Sequence, residues 1–394
     1  MAPTGSPVMT RERFVQLRRG VGSNVGELIE KCVAEEERYR FDKEIPLFTQ
    51  RGWIPSEPLP LDQVRLSFSD IPRDDFLDAK NRLAAYWPAM KDVAVPSYHA
   101  AVRRHDAPKS FFNGVSFRLL HAEPAQNPVQ LRFGMGTYFD GFDTCEPLGF
   151  EAALRFEESR GATVRGPYRD WLGDPFDLTS RCAVPGVNTL TIRRSGKDVT
   201  FYLHQRTSVA TAAGTVHVVP AGEFQPSSQQ PRPKAAELDL RSTIIREYAE
   251  EFLGHEDVLE QRVDEPQIDF VSDRRFNPLS KALRGGGAKT HYLGLGLYPL
   301  TWKPEILLVS VFEAELFDRL FDNMVEEVIE GRLVVTTRLK HSRYAFRGKK
   351  GIYEGLPFNA ETVGRYAGDP TTLPAARGCL TLAWRHRRFL GIGD

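Results

Sequence analysis

Apolar positions recur along the chain with two periods, one near 3.6 and one of two, and their succession predicts helices interleaved with strands. Leu28, Ile29, Cys32 and Val33 fall at helical spacing ahead of Glu35, Glu36 and Glu37, which predicts a helix over residues 26–39. Phe76, Leu77, Leu83, Ala84 and Trp87 form the apolar face of a second helix over residues 74–87. Alternation of apolar and polar residues marks half-buried strands at 114–120, 129–133, 189–193 and 199–203, the last two joined by Ser195, Gly196, Lys197 and Asp198. Further strands are expected at 291–297, 306–312 and 333–337. Leu316, Leu320, Met324 and Val328 predict a helix over 315–331, and two more helices close the chain at 358–366 and 375–388.

Segments without periodicity separate these elements. Residues 1–8 carry Pro, Gly and Ser and are expected to be disordered. Residues 46–61 are punctuated by proline and hold Trp53, the pattern of an extended segment lying across a packed surface. Residues 261–289 read as a polar, mobile excursion ending in Gly285, Gly286 and Gly287, which lack the Gly-Lys-Ser/Thr ending of a phosphate loop and read as a linker. Asp140, Asp143 and Glu146 lack calcium-loop spacing and read as an ordinary turn. His204 and His291 each sit on an expected strand and read as packed or surface histidines, and Cys145 has no adjacent Cys-His motif.

The segment Arg246-Glu247-Tyr248-Ala249-Glu250-Glu251 holds the strongest chemical signal. At about 100° per residue Glu247, Glu250 and Glu251 share one arc of a helix, and Ile245, Tyr248, Ala249 and Phe252 share the opposite one. Like charges at this spacing destabilise an isolated helix by about 0.2–0.5 kcal/mol per pair. Arg246 can pair with Glu250 and leaves two carboxylates over, oxygen ligands of the kind a hard cation such as Mg²⁺ takes. Taken alone, the hexapeptide is also the pattern of a solvated acidic face.

In order along the chain stand a strand ending in Arg206, a second ending in Pro220-Ala221-Gly222, and then the acidic helix. This series resembles a Nudix domain, whose box reads G-x5-E-x7-R-E-U-x-E-E-x-G-U. On that resemblance Gly222 matches the box glycine, Arg246 and Glu247 the R-E pair, Tyr248 the bulky position, and Glu250 and Glu251 the metal-binding pair. Gly222 and Arg246 stand about ten residues further apart than in the family pattern, the surplus being 227–236. Position 238 is Leu where the first box glutamate is expected, with Glu237 and Asp239 on either side, and Gly254 arrives one residue late, followed by His255. The resemblance covers residues 188–394, about half the chain.

Composition narrows the partners. The 52 basic and 52 acidic side chains balance, so the whole chain carries no electrostatic footprint for nucleic acid or an anionic membrane. Four scattered cysteines without a C-x-x-C pair argue for a reducing, cytoplasmic setting and against structural zinc. No apolar signal region opens the chain, and no stretch is long and clean enough to span a bilayer.

The expected fold class is α/β: a Nudix-like mixed sheet sandwiched by helices over 188–394, with an N-terminal α+β extension over 1–187 packed on it. The resemblance implies Mg²⁺- or Mn²⁺-dependent hydrolysis of the pyrophosphate in a nucleoside diphosphate linked to another group. Glu247, Glu250 and Glu251 would hold the metal, Arg246 would orient the carboxylates, and Gly222 would let the phosphates approach the backbone. The general base is unassigned; Glu326, Glu327 and Glu330 come into view only because the family often draws it from outside the box. The alternative is a Nudix-fold module that binds a nucleotide-like ligand as sensor or scaffold, and the partner set leaves a homodimer open.

Overall fold

Two ten-residue strands, β5 (Gly186–Ser195) and β11 (Pro304–Glu313), run parallel and in register from Gly186 opposite Glu305 to Arg194 opposite Glu313. Both are buried along nearly their whole length, as strands covered on both faces are. The computed structural model describes residues 9–69, 96–108, 111–123, 128–206, 214–227, 237–255, 269–270, 272–325, 327–328, 331–335, 337–338 and 353–394. On one side of the pair, β10 (Ala288–Leu297) runs antiparallel to β11 and is itself edged by β1 (Leu59–Pro60). On the other side lie β6 (Asp198–Phe201) and the short strand Leu356–Pro357. The strand β9 (Ala221–Glu223) joins the beginning of β5, with Gly222 opposite Val187.

Ten α-helices flank these strands among the described residues, and two cover the central sheet. Helix α6 (Leu240–Glu251) presses Ile244, Ile245, Tyr248 and Ala249 onto one face. On the other face α10 (Pro374–Arg385) lays Ala376, Cys379, Leu380 and Ala383 against Leu190, Leu307 and Val309. Sheet between helices is a layered α/β arrangement. The alternation at 189–193 predicts a strand with one wet face, yet Thr189 and Thr191 are buried. The reason is the second helix layer: the Thr191 hydroxyl meets Val219 O at 2.6 Å and Tyr248 Oη at 2.8 Å, so the polar face is covered and hydrogen-bonded.

A second small sheet joins β7 (Leu203–Arg206), β8 (Val216–Val218) and Gly331–Val334. The N-terminal half builds a third, in which β2 (Val64–Phe68) runs parallel to β4 (Val129–Thr137) and β3 (Val115–Ala122) antiparallel to it. This half is fastened to the central sheet by buried cations. Arg169, from α5 (Pro167–Leu172), and Arg181 lie 5.0 and 5.8 Å from the Trp302 ring. Their guanidiniums donate to Pro299, Leu300 and Trp302 carbonyls in the β10–β11 turn. Arg169 also pairs with Glu36 at 2.6 Å, both side chains essentially out of water.

Three expectations change. The acidic triplet Asp140, Asp143 and Glu146 is not a turn but part of α4 (Tyr138–Glu158), because Thr137 and Asp140 exchange side-chain hydrogen bonds with each other's backbone in a capping box. The helix expected over 315–331 is α8 (Ala314–Leu320) alone. It stops because Phe317 and Phe321 pack into the aromatic cluster around Phe252, after which Val325 N bonds Phe252 O. Within the expected excursion, Asn277–Arg284 is helix α7, since Leu279, Ala282 and Leu283 find a core to enter; Gly285 caps it and Gly286, at φ +80°, turns the chain into β10. Residues 1–8, the helix expected at 74–87 and most of the surplus loop, 228–236, lie outside the described residues.

Candidate functional site

Helix α6 opens with Asp239 accepting from Arg241 N at 3.0 Å, one of the amides a helix start leaves without a partner. Its apolar arc is anchored by Tyr248 and by Phe252 just beyond the helix, and that fixes where the acidic arc points: across β9. The arc is not a solvated face, since Glu247 and Glu251 are each 8% exposed. The carboxylate of Glu247 lies over Gly222 so closely that a Cβ there would overlap it, with the farther oxygen still only 2.6 Å away. One turn on, Glu251 Oε2 accepts the Ala221 amide at 2.8 Å and its Oε1 lies 3.6 Å from His204 Nδ1. Arg246 ties the group together: Nη2 is 2.8 Å from Glu247 Oε1, Nη1 is 3.7 Å from Glu250 Oε2, and Nη2 also donates to Glu223 O at 3.4 Å.

The structure therefore gathers Gly222, Arg246, Glu247, Glu250 and Glu251 around one short strand. As these side chains stand, no group of three or more His, Cys, Asp or Glu residues among the described residues is set to hold a metal ion. Glu247 and Glu250 face Arg246, and one oxygen of Glu251 is taken by the Ala221 amide.

A second set of charged groups lies beyond Glu223, and the sequence reading passed over most of it. Glu223 and Glu305 flank Gly186 in a single row across β9, β5 and β11. Lys303 Nζ bonds Glu223 Oε1 at 2.8 Å, and Asn188 Nδ2 bonds Glu305 Oε2 at 2.7 Å. The charge of Glu146, on helix α4, also acts on Lys303. Burial alone would lower the Lys303 ammonium's pKa, but the surrounding Glu223, Glu305 and Glu146 outweigh it and hold the pKa above its ordinary value. Burial raises the carboxyls of Glu146 and Glu305, with Lys303 opposing that shift in both. It likewise raises Tyr138 and Tyr298, and it drives His217 well below the ordinary histidine range, helped by Arg206, His204 and Lys303. His217 Nδ1 accepts from Val218 N at 2.9 Å, a bond that only the unprotonated nitrogen makes.

Nothing local announces this second set. Lys303 and Glu305 flank Pro304 in what reads as an interruption of an apolar stretch, and Glu146 is separated from them by more than 150 positions. The one local signal is Gly186: a side chain there would overlap Glu305, so a glycine opening a buried strand marks a close approach. The four cysteines are all buried, and burial raises the Cys145 thiol above its ordinary value, which disfavours the thiolate. No helix among the described residues is long and apolar enough to cross a membrane. No family model matches the chain, and a search of the curated proteins finds no match.

Proposed function

We propose that the chain is a Nudix-like hydrolase that cleaves the pyrophosphate of a nucleoside diphosphate linked to another group, with Mg²⁺ or Mn²⁺ as cofactor. The observation that supports this reading best is the seating of Glu247 on Gly222 and of Glu251 on Ala221, which draws the acidic helix and the glycine strand into one site. Mg²⁺ keeps several waters and is completed by substrate phosphates, so it needs one or two protein carboxylates and no prebuilt cage. Glu250 and Glu251 would hold it, with Glu247 beside them. When bound, it would polarise the pyrophosphate and lower the pKa of an attacking water. Arg246 positions Glu247 and Glu250 through its two contacts, and Gly222 keeps the strand bare where phosphate oxygens would approach.

A second reading is a module that binds a nucleotide-like ligand without cleaving it. It is favoured by Arg246, which stands 2.8 Å from Glu247 and 3.7 Å from Glu250 where a metal ion would otherwise offset their charge. The deciding experiment offers ADP-ribose, NAD, nucleotide sugars, dinucleoside polyphosphates and nucleoside triphosphates with Mg²⁺ or Mn²⁺. Cleavage that Glu251→Gln abolishes supports the hydrolase; binding without cleavage, unchanged in Glu251→Gln, supports the module.

A further inference from the structure

Helices α1 (Arg11–Ser23) and α2 (Val25–Glu35) meet the end of α4 around a cavity of about 780 Å³. Small-molecule sites commonly enclose roughly 300–1,000 Å³. Its floor is apolar: Leu17, Leu28 and Ala153 are buried there, with half-buried Val15 and Phe156 beside them. Exposed Gln16, Arg19, Asn24 and Arg160 stand at the rim, so the cavity opens to solvent. The turn after α4 stays close to the floor because Gly161 N donates to Phe156 O at 2.7 Å. The two carboxylates in the lining are already placed. Glu157 accepts from Arg13 Nη1 at 2.8 Å, and Glu12 lies in the first turn of α1, where the helix's free amides favour a negative charge. What remains is a set of donors. Arg19 comes no nearer than 3.6 Å to Asp106 and keeps 75% of its side chain exposed. Arg160 makes no ion pair among the described residues, and the Asn24 side chain makes no hydrogen bond to the helix it precedes. Gln16 gives its oxygen to Arg13 at 3.4 Å, and its amide nitrogen remains a donor.

We propose that this cavity binds a free single-chain anionic amphiphile of the fatty-acid type, its chain on the apolar floor and its carboxylate among the rim donors. Guanidiniums and amides donate and do not accept through nitrogen, and the planar fork of arginine matches a carboxylate. A small anion would leave the floor uncovered, and a cationic chain would leave Arg19 and Arg160 unanswered. A bilayer surface fits less well than a single chain. It is held by apolar groups that protrude, and the exposed large apolar side chains among the described residues, Phe41 and Phe389, lie elsewhere. The apolar surface here is reached only from within the cavity, between three helices.

The test is calorimetric titration of the full chain with sodium dodecanoate below its micelle concentration, with acetate, dodecyltrimethylammonium and phosphatidylglycerol vesicles as comparisons. Saturable binding of dodecanoate is expected, and none of acetate. Affinity should fall on the order of tenfold or more in Arg19→Gln/Arg160→Gln, which removes both guanidiniums. Both residues are exposed, so the fold should persist, and melting followed by circular dichroism checks that it does. Val15→Gln, which makes part of the floor polar, should weaken binding as well. Four results would each overturn the proposal: no binding of dodecanoate, binding of acetate or dodecyltrimethylammonium as tight as that of dodecanoate, affinity unchanged in both variants, or binding to vesicles alone. No residue of this cavity belongs to the site around Glu247 and Glu251, and neither metal nor turnover enters the measurement, so each reading can fail without the other.

Discussion

Glu247 covers Gly222: its carboxylate occupies the space a side chain at position 222 would need, and Arg246 holds it there at 2.8 Å. Helix and strand are thereby locked by a contact that only glycine permits. Gly222→Ala should destabilise the protein by roughly 1–3 kcal/mol, the usual cost of overpacking. Removing the obstructing group as well, in Gly222→Ala/Glu247→Ala, should recover part of that loss. Urea unfolding of the four members of this cycle checks it; strictly additive effects would mean that the two residues do not press on each other.

Glu251→Gln tests chemistry apart from folding. The glutamine oxygen can still accept the Ala221 amide, so stability should change by no more than about 1 kcal/mol. Under the hydrolase reading, turnover should fall on the order of 10³-fold, and Mn²⁺ binding measured by calorimetry should weaken with it.

The clamp on Trp302 should carry much of the coupling between the two halves. Arg169 and Glu36 are buried together at 2.6 Å, and truncating one partner strands the other's charge. Arg169→Ala is expected to cost about 3–5 kcal/mol. An unfolding midpoint close to wild type would show that the pair and the Pro299 and Leu300 carbonyls are satisfied by water instead.

His217 should give the protein an acid-sensitive stability. Its native pKa is depressed, so below the ordinary value of 6.5 the unfolded chain binds a proton that the native state refuses. Stability therefore falls as pH drops from 6.5 toward the depressed value, with a limiting slope of about 1.4 kcal/mol per pH unit from this one group. His217→Asn, whose side-chain oxygen can accept from Val218 N, should flatten that limb between pH 6.5 and 5. Identical slopes for variant and wild type in urea titrations would assign the acid sensitivity elsewhere.

Local periodicity made the core strands and the acidic helix legible, because burial on one face imposes its period on the sequence wherever one element meets one layer. Thus Ile245, Tyr248 and Ala249 announce the buried arc of α6, and the apolar residues of 306–312 announce β11. The period says which arc faces inward but not what lies there. For that reason the spacing of Asp140, Asp143 and Glu146 does not reveal the helix that Thr137 caps, and the period around Phe321 does not reveal the aromatic cluster at Phe252 that turns the chain.

The sequence by itself determined an alternation of helices and strands, the glycine at 222 and three carboxylates on one arc of α6. Tertiary structure alone decided that Glu247 lies on Gly222, that Arg246 faces two of those carboxylates, and that Lys303 pairs with Glu223 while Asn188 pairs with Glu305. The reason is range. Helix and strand periods are set by bonds between near neighbours, whereas the fields that hold Lys303 charged and His217 neutral come from groups brought together only when separate segments share one core.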